Sequence, residues 1–191
     1  MLGLKRRVRV ETERMTLRLP EHGDWRAWAA LREVSAAHLM PWEPVWAHDH
    51  LTRRAFTNRV YWAQRAEAQG TALPFLLIRR QDQAVLGAIT LDNIRRGPSQ
   101  SGTLGYWIGR NFAGRGYGTA AVQAMVGWAF SELNLHRVEA ACVPDNTASR
   151  RVLEKSGFQL EGQARAYLKI NGAWADHLLF GVVNDGVGRG G

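Results

Sequence analysis

A short segment rich in glycine and arginine carries the residue types that hold a phosphate group. Gly114, Gly116 and Gly118 recur at every second position, with Arg110 and Arg115 beside them. Glycine lets the backbone approach a ligand closely and expose successive N–H groups. A helix that begins at this point adds a partial positive charge. The segment therefore predicts a cradle for phosphate or pyrophosphate, and the alternative is a glycine turn needed only for tight packing.

The surroundings of the glycines narrow the kind of phosphate ligand. No Gly-Lys-Ser/Thr sequence is present, which excludes a P-loop nucleotide site. Residues 116–121 match the loose dinucleotide pattern G-x-G-x-x-A, and Glu139 follows at about the position of a ribose-binding acid. Glu139 nevertheless falls inside a predicted strand, and the strands upstream are joined by short turns instead of helical crossovers. Both features disfavour a nicotinamide dinucleotide.

Hydropathy patterns predict the elements that position this turn. Apolar residues alternate over 103–109, which predicts a strand leading into the glycines. A helix follows the turn and carries an apolar face that includes Val122 and Met125. A further strand is predicted over 137–143, and Asp145 or Asn146 then caps a short helix. The glycine turn is thus expected to lie between a strand and a helix in a β-α-β unit.

The remaining patterns complete an α/β chain that mixes antiparallel hairpins with the β-α-β unit. The predicted order is β-αα-βββ-α-β-α-ββ. The predicted elements outside the glycine region are a strand over 15–19, a helix from Asp24 with Trp25, Trp28, Leu31 and Val34 facing the core, a helix from Thr52 to Gly70, a hairpin of strands over 74–80 and 85–92, and a closing hairpin that turns at Asn171-Gly172.

Length and composition set the class of protein. The chain has 191 residues, of which 46% are apolar and 22% charged, and these values suit one soluble globular domain over 1–191. We expect the core over about 12–183 and a flexible glycine-rich tail over 184–191. No apolar run approaches the roughly 18 residues of a membrane helix, and no secretory signal follows the basic start. We therefore expect a cytoplasmic protein with no membrane partner.

Charge, cysteine and histidine content bear on possible ligands. Lys and Arg number 25 against 17 Asp and Glu, a net charge of +8, which favours a polyanionic ligand without separating nucleic acid, an acidic cofactor and a solvated surface. Cys142 is the only cysteine, so a disulfide framework is excluded, and its alternation with Val138 and Ala140 predicts a core residue. His48-Asp49-His50 lacks further ligands, so no metal is expected.

Two blocks of sequence resemble one superfamily. Arg115-Gly116-Tyr117-Gly118-Thr119-Ala120 resembles the R/Q-x-x-G-x-G/A signature of the GNAT acetyltransferases. Asn146-Thr147-Ala148-Ser149 and the stretch 152–158 resemble the N-x-x-S-x-x-v-l-E-K-x-G-F block that follows it in that superfamily. The two blocks occur in the expected order with a strand and a helix between them. The resemblance implies the GNAT fold, a mixed splayed β-sheet flanked by helices that holds acetyl-CoA in the splay.

Three further stretches are similar to one branch of the superfamily. The opening 12–18 resembles the ribosomal-protein alanine N-acetyltransferases of the RimJ/RimL type. The stretches 41–45 and 167–177 are most similar to the RimJ branch. The resemblance thus implies an N-terminal alanine of a ribosomal protein as the acceptor, with possible ribosome contact.

The resemblance also implies functions for single residues. Arg110 and Arg115 are expected to pair with phosphates, Asn146 to orient the pantetheine amides, and Ser149 to lie near the sulfur as a catalytic residue. Backbone N–H groups near Ile108 and Gly109 are expected to polarise the acetyl carbonyl. The full set of expected cofactor-binding residues is Ile108, Gly109, Arg110, Arg115, Gly116, Tyr117, Gly118, Thr119, Asn146 and Ser149.

Acetyl transfer requires a neutral amine, which restricts the acceptor. A peptide α-amine has a pKa of about 7.7–8.0, whereas that of a lysine amine is about 10.4 and demands a strong base. Glu43, among aromatic residues in a proline-bounded loop, is the expected base or ammonium-binding residue. Asp92, Glu139 and Asp176 are alternatives, although Asp176 is expected to hold the last hairpin together. Two other functions stay open, namely acetylation of a small amine and a non-catalytic RNA- or ribosome-binding module.

Overall fold

The computed structural model describes residues 8–186 of the chain, and the bounds below refer to that part. The strands are β1 (Arg9–Glu11), β2 (Met15–Arg18), β3 (Leu73–Arg79), β4 (Val85–Arg95), β5 (Ser101–Ile108), β6 (Arg137–Cys142), β7 (Gln159–Ile170) and β8 (Ala173–Val183). The α-helices are α1 (Trp25–Val34), α2 (Ala36–Leu39), α3 (Arg53–Gln69), α4 (Tyr117–Ser131) and α5 (Thr147–Lys155). The predicted fold class and element order are confirmed, with β1 and the short α2 added.

Local sequence signals explain several boundaries. The Thr52 hydroxyl accepts a hydrogen bond from the N–H of Ala55 at 3.2 Å and so caps α3. Gly70 ends the same helix at φ +66°, in the left-handed conformation that glycine adopts at low cost. The turn between β7 and β8 is formed by Asn171 and Gly172, at φ +44° and +84°. Positive φ at both residues is what a tight hairpin turn requires.

The strands form one sheet in the order β1-β2-β3-β4-β5-β6-β8-β7. Among the described residues β5 and β6 pair in parallel, and all other neighbouring strands pair antiparallel. The β5–β6 register runs from Ser101–Arg137 to Leu104–Ala140. Beyond that point β5 continues to Ile108 on β4 and β6 continues to Cys142 on β8, and the two strands no longer pair with each other. The sheet therefore splays open between β5 and β6, as the resemblance implied.

Helices cover both faces of the sheet. Along β3, Phe75 and Leu77 belong to one buried cluster, and Leu76 and Ile78 belong to the other. This strand is buried on both sides, which explains its continuous apolar sequence. The first cluster includes α4 and α5, and the second includes α1 and α3. Their main helical members are Val122, Met125, Ala129 and Leu153 in the first, and Trp28, Leu31, Phe56 and Val60 in the second.

The predicted inward face of α1 is wrong at one position. Val34 is 57% exposed, whereas Arg32 and Ser35 are buried. Arg32 faces inward because its guanidinium pairs with the Glu43 carboxylate and lies over the rings of Trp46 and Trp107. Cys142 is buried on β6 together with Val138 and Ala140, as predicted.

No helix within residues 8–186 has the length and apolar character needed to cross a bilayer. The predicted flexible tail lies mostly outside the described residues, which end at Gly186.

Candidate active site

A cleft of about 360 Å³ opens where β5 and β6 diverge. One wall is the end of β5 with the glycine turn and the start of α4, the opposite wall is α5, and the mouth is bordered by α2 and the loop after it. The lining residues are His38, Leu39, Trp42, Glu43, Tyr106, Trp107, Ile108, Phe112, Ala113, Gly114, Gly116, Tyr117, Gly118, Thr119, Asn146, Ala148, Ser149, Arg151, Val152 and Lys155. Most of the residues expected to bind a cofactor thus share one cavity.

The glycine turn ends at the N-terminus of α4. Gly116 precedes the helix at φ +80°, a conformation that strains any residue with a Cβ. By helix geometry the N–H groups of Tyr117, Gly118 and Thr119 have no partner within α4. A Cβ added at Gly118 would lie 3.5 Å from side chains of Ile108 and Val152, both of which line the cleft. A positive helix end therefore faces a gap that Gly118 keeps open, and this arrangement fits a pyrophosphate.

Basic side chains are distributed around this helix end. Arg151 and Lys155 line the cleft from α5, one helical turn apart. Arg110 and Arg115 are exposed and adjoin the lining without belonging to it. Arg14 donates a hydrogen bond to the carbonyl of Arg115 at 3.0 Å and so ties the turn to the N-terminal strands. The expected pairing of Arg110 and Arg115 with phosphates remains a prediction.

The two β5 residues expected to polarise a carbonyl differ in their hydrogen bonds. Gly109 donates its N–H to the carbonyl of Leu86 at 2.9 Å, so this donor is already used and the expectation for it is wrong. Its Cα also packs against α1, since a Cβ there would meet Leu31 at 2.4 Å. In an antiparallel ladder hydrogen-bonded pairs alternate with pairs that face outward. The N–H of Ile108, paired with Gly87, is therefore directed away from β4 and towards the splay.

Asn146 and Ser149 occupy the start of α5 on the far side of the cleft. Asn146 caps the helix, since its Oδ1 accepts a hydrogen bond from the N–H of Ser149 at 3.0 Å. The Ser149 hydroxyl lies 2.9 Å from the hydroxyl of Tyr106 on β5. The serine side chain is therefore directed across the cleft and leaves helix capping to Asn146. The amide nitrogen of Asn146 is the part of that side chain left for a ligand.

Glu43 lines the cleft with its carboxylate held in place. Its Oε1 and Oε2 accept hydrogen bonds from Arg32 at 2.8 and 2.6 Å, and Oε2 also accepts one from Trp46 Nε1 at 2.7 Å. The Arg32 guanidinium lies over the rings of Trp46 and Trp107, at 4.1 and 4.8 Å from their centroids. These partners compete with an incoming amine for the carboxylate. They also fix its position, so Glu43 fits ammonium binding better than proton abstraction.

The last hairpin borders the mouth of the cleft next to Glu43. Asn171 in its turn donates its N–H to the carbonyl of Glu43 at 2.8 Å. A Cβ at Gly172 would lie 3.7 Å from Val45. Trp174, on the same hairpin, is 67% exposed. Two stretches that resemble the RimJ branch and are far apart in sequence therefore meet at one end of the cleft.

The alternative carboxylates lie outside the cleft lining. Glu139 accepts a hydrogen bond from Arg137 at 2.9 Å on β6, and Asp92 is exposed on β4. Asp176 accepts from the N–H of Ala166 at 2.9 Å and from Gln163 at 3.0 Å, and these bonds lower the pKa of its carboxyl. They brace β7 where its register shifts. Asp176 thus holds the hairpin together, as predicted.

Several lining residues were missed from the sequence. The alternating pattern over 103–109 predicts only a strand, and it does not mark Tyr106 as a residue that lines the cleft. Arg151 and Lys155 recur at helical spacing within α5, and this spacing was the available signal. His38 of α2 offers an imidazole to the cleft, and no pattern around it in the sequence marks its position.

The fold and the cleft define an acyltransferase of the N-acetyltransferase class, and comparison with protein families gives the same result. The model of the acetyltransferase (GNAT) domain matches residues 14–159. This match covers more than half of the chain. The chain belongs to the GNAT acetyltransferase family and is an N-acetyltransferase, as the glycine turn and the block after Asn146 predicted. That result removes the basis for a non-catalytic binding module.

Two relatives are similar over most of the chain. The [ribosomal protein uS5]-alanine N-acetyltransferase of Escherichia coli (strain K12) is 32% identical over 174 residues, which are 91% of this chain and 89% of that protein. The probable N-acetyltransferase YjcK of Bacillus subtilis (strain 168) is 38% identical over 138 residues, which are 72% of this chain and 76% of the relative.

Solved structures agree with the fold. The ribosomal-protein-S5-alanine acetyltransferase from Vibrio fischeri superposes with a TM-score of 0.86 at 34% identity, covering 93% of this chain and 97% of that one. Mycobacterium smegmatis RimJ in complex with CoA-disulfide superposes with a TM-score of 0.85 at 32% identity, covering 92% of this chain and 84% of that one.

Proposed function

We propose that this enzyme transfers an acetyl group from acetyl-CoA to the N-terminal α-amine of a protein, with the N-terminal alanine of a ribosomal protein as the acceptor. Within this proposal, acetyl transfer follows from membership of the GNAT acetyltransferase family. The cosubstrate and the acceptor are inferred from the cleft and from the relatives.

The cofactor side of the cleft supports acetyl-CoA. The unpaired N–H groups at the start of α4 suit a pyrophosphate, with Arg151 and Lys155 on the facing wall. The outward N–H of Ile108 suits the acetyl carbonyl oxygen. RimJ of Mycobacterium smegmatis, 32% identical to this chain, has been solved with CoA-disulfide.

The acceptor is inferred mainly from the hydrogen bond between Asn171 and the carbonyl of Glu43. It joins the last hairpin to the loop after α2, so that the two stretches resembling the RimJ branch form one surface beside the cleft. Trp42 and Trp174 are exposed on that surface and offer apolar contacts to an extended peptide. Relatives that act on a ribosomal-protein alanine share 32–34% of their sequence with this chain over more than nine-tenths of its length.

The side chains of the cleft favour an amine that is already partly neutral. Among the residues that the structure describes, Glu43 is the one carboxylate in the cleft lining, and both of its oxygens accept hydrogen bonds from Arg32. An α-amine with a pKa of about 7.7–8.0 needs little assistance, whereas a lysine amine at about 10.4 would need a strong base. In this proposal Glu43 binds the ammonium form and aligns it, and His38 faces the same space as a proton acceptor.

Peptide acetylation tests the proposal. The protein is incubated with acetyl-CoA and a peptide that begins with alanine and contains one internal lysine, and the products are mapped by tandem mass spectrometry. The expected product carries one acetyl group on the α-amine. The matched control is the same peptide with its α-amine blocked, which should stay unmodified. Acetylation of a polyamine or an aminoglycoside with no reaction of the peptide would favour a small-molecule acceptor instead.

A further inference from the structure

The outer face of α3 carries aromatic and basic side chains together. Arg54, Asn58, Tyr61 and Arg65 recur at helical spacing on this face, and all four are exposed. Tyr61 is 53% exposed, and the adjacent Trp62 is 42% exposed. A helix face that meets only water needs no large aromatic rings. Two adjacent exposed rings between arginines are therefore typical of a surface that binds a partner.

The charges on α3 have predominantly one sign. The single carboxylate of the helix, that of Glu67, accepts a hydrogen bond at 3.2 Å from the main chain just before β1. Within residues 8–186 Arg54 pairs with Asp49 at 3.4 Å, and no carboxylate pairs with Arg59 or Arg65. The basic residues of α3 are Arg53, Arg54, Arg59 and Arg65. This surplus of cations favours a polyanionic partner.

A hollow of about 260 Å³ lies beside the outer face of α3. The guanidinium carbon of Arg59 lies 5.3 Å from the centroid of the Trp28 ring, a contact that holds the cation at the hollow. Trp62 offers an exposed indole ring on which a base can stack, and the Asn58 amide can both donate and accept hydrogen bonds. The lining residues are His50, Ala55, Asn58, Arg59 and Trp62.

His50 forms a neutral part of the hollow. Burial, followed by the charges of Arg32 and Arg59, lowers the pKa of its imidazole to about 4, so the ring carries no charge near neutral pH. Its ring centroid lies 5.2 Å from that of Trp28 and 4.9 Å from that of Trp46. The positive charge in the lining of the hollow is therefore that of Arg59.

The hollow shares a loop with the mouth of the cleft. Trp46 contacts His50 in the lining of the hollow, and its Nε1 donates a hydrogen bond to Glu43 Oε2 at 2.7 Å. Glu43 in turn lines the cleft. A polymer bound along α3 would therefore lie close to the proposed acceptor.

We propose that the outer face of α3 and the hollow beside it bind single-stranded RNA, with a phosphate on Arg59 and a base on Trp62. Unpaired bases expose the faces that stack on aromatic side chains, whereas the bases of a duplex are covered by their neighbours. An acidic protein segment would pair with the arginines and leave the exposed rings without a function. The choice of RNA over DNA rests on the proposed function, since a ribosomal-protein acceptor belongs to a particle that contains RNA.

Fluorescence anisotropy with a fluorescein-labelled RNA of mixed sequence, about 12 nucleotides long, tests the inference. We expect the wild type to bind, with an affinity that falls as the salt concentration rises. Arg59→Ala should weaken binding roughly tenfold and reduce the slope of log affinity against log salt by about 0.7, the value for one phosphate contact with a single strand. Trp62→Ala should weaken binding at least about fivefold and leave that slope unchanged.

Arg165→Ala is the matched control, because it removes one exposed arginine from the edge strand β7, whereas α3 packs on β3. It should change the affinity for RNA by less than about twofold. Calorimetry with acetyl-CoA shows that each variant is folded with its cleft intact.

Three results would overturn the inference. They are the absence of RNA binding by the wild type, an equal loss of affinity in Arg165→Ala and Arg59→Ala, and equally efficient displacement of the RNA by a polyglutamate peptide of the same charge. The last result would assign the surface to an acidic protein segment. The anisotropy assay contains neither acetyl-CoA nor an acceptor, so each of these results leaves the proposed acetyl transfer standing.

Discussion

Arg32 and Glu43 form a two-point ion pair, with Nη1–Oε1 at 2.8 Å and Nη2–Oε2 at 2.6 Å, that joins α1 to the loop at the mouth of the cleft. Arg32 is only 4% exposed. A charge at that depth depends on its counter-charge, so the pair fixes the loop as well as the carboxylate. Glu43 thereby presents a fixed negative group to the acceptor side.

Glu43→Gln is expected to lower both stability and turnover. The variant leaves the buried Arg32 without its counter-charge, which costs about 1–3 kcal/mol of unfolding free energy because the pair is partly exposed on the Glu43 side. Turnover at saturating acetyl-CoA should fall and KM for the peptide should rise, with affinity for acetyl-CoA near that of the wild type. Calorimetry and steady-state kinetics measure these effects.

Asp49→Asn is the control for Glu43→Gln, because it neutralises a carboxylate paired with the exposed Arg54. It should change stability by less than about 0.5 kcal/mol. Full activity of Glu43→Gln with every acceptor tested would make Glu43 a purely structural residue.

Gly118→Val is expected to weaken acetyl-CoA binding at least tenfold, an order-of-magnitude figure of about 1.4 kcal/mol. Its branched side chain would project towards Ile108 and Val152, which line the cleft beside the helix N-terminus. Gly127→Val in the same helix is the control, since a Cβ there meets nothing within 4 Å. Isothermal titration with acetyl-CoA gives both affinities, and equal values for the two variants would remove the glycine turn from the cofactor site.

Ser149→Ala is expected to lower turnover about tenfold while the melting temperature stays near that of the wild type. The cap of α5 uses the Ser149 N–H, which alanine retains, and the Asn146 side chain. Asn146→Ala should instead lower stability by about 1 kcal/mol. Thermal unfolding and kinetics on the same samples separate the two effects. A lower melting temperature with preserved turnover in Ser149→Ala would rule out its role in thiolate departure.

His50 predicts a pH dependence of stability. Burial, followed by the charges of Arg32 and Arg59, lowers its pKa from 6.5 to about 4, against weaker opposing effects of Glu43 and Asp49. Between those values the unfolded chain binds more protons than the folded one, so stability falls as the pH drops from about 6.5 towards 4. Because His50 is partly exposed, we expect its contribution to this loss of unfolding free energy to be about 1 kcal/mol.

The measurement for His50 is thermal unfolding of wild type and His50→Gln at about pH 7 and pH 5. Between pH 7 and pH 5 the melting temperature of the wild type should fall by roughly 2–4 °C more than that of the variant. Equal losses in both proteins would show that His50 has no depressed pKa in the folded state.

Sequence patterns predicted those parts of the fold that depend on local physics. The ends of α3 follow from a capping hydroxyl at Thr52 and a left-handed glycine at Gly70, and both signals are contained in a few neighbouring residues. The strand β1 was missed because it has three residues with only Val10 buried, too few to give a periodic pattern. The left-handed Ala166 in β7 was also missed, since alanine carries no turn signal.

The candidate site was predicted as far as its motifs extend. The glycine turn, Asn146 and Ser149 were found because each belongs to a contiguous block. The residues that they contact across the splay could not be found from the sequence, because the contact of Ser149 with Tyr106 depends on how β5 and α5 pack. Arg32 was missed for a similar reason, because helical spacing favoured the apolar Val34 over a charged residue whose partner lies in a loop.

The proposed acceptor is tested most directly by comparing protein N-termini by mass spectrometry in cells that contain this enzyme and in otherwise identical cells that lack it. We expect that a ribosomal protein with an N-terminal alanine is acetylated in the first cells and carries a free α-amine in the second. Restoring the gene should restore the acetyl group. The same acetylated N-termini in both cell types would contradict the proposed acceptor.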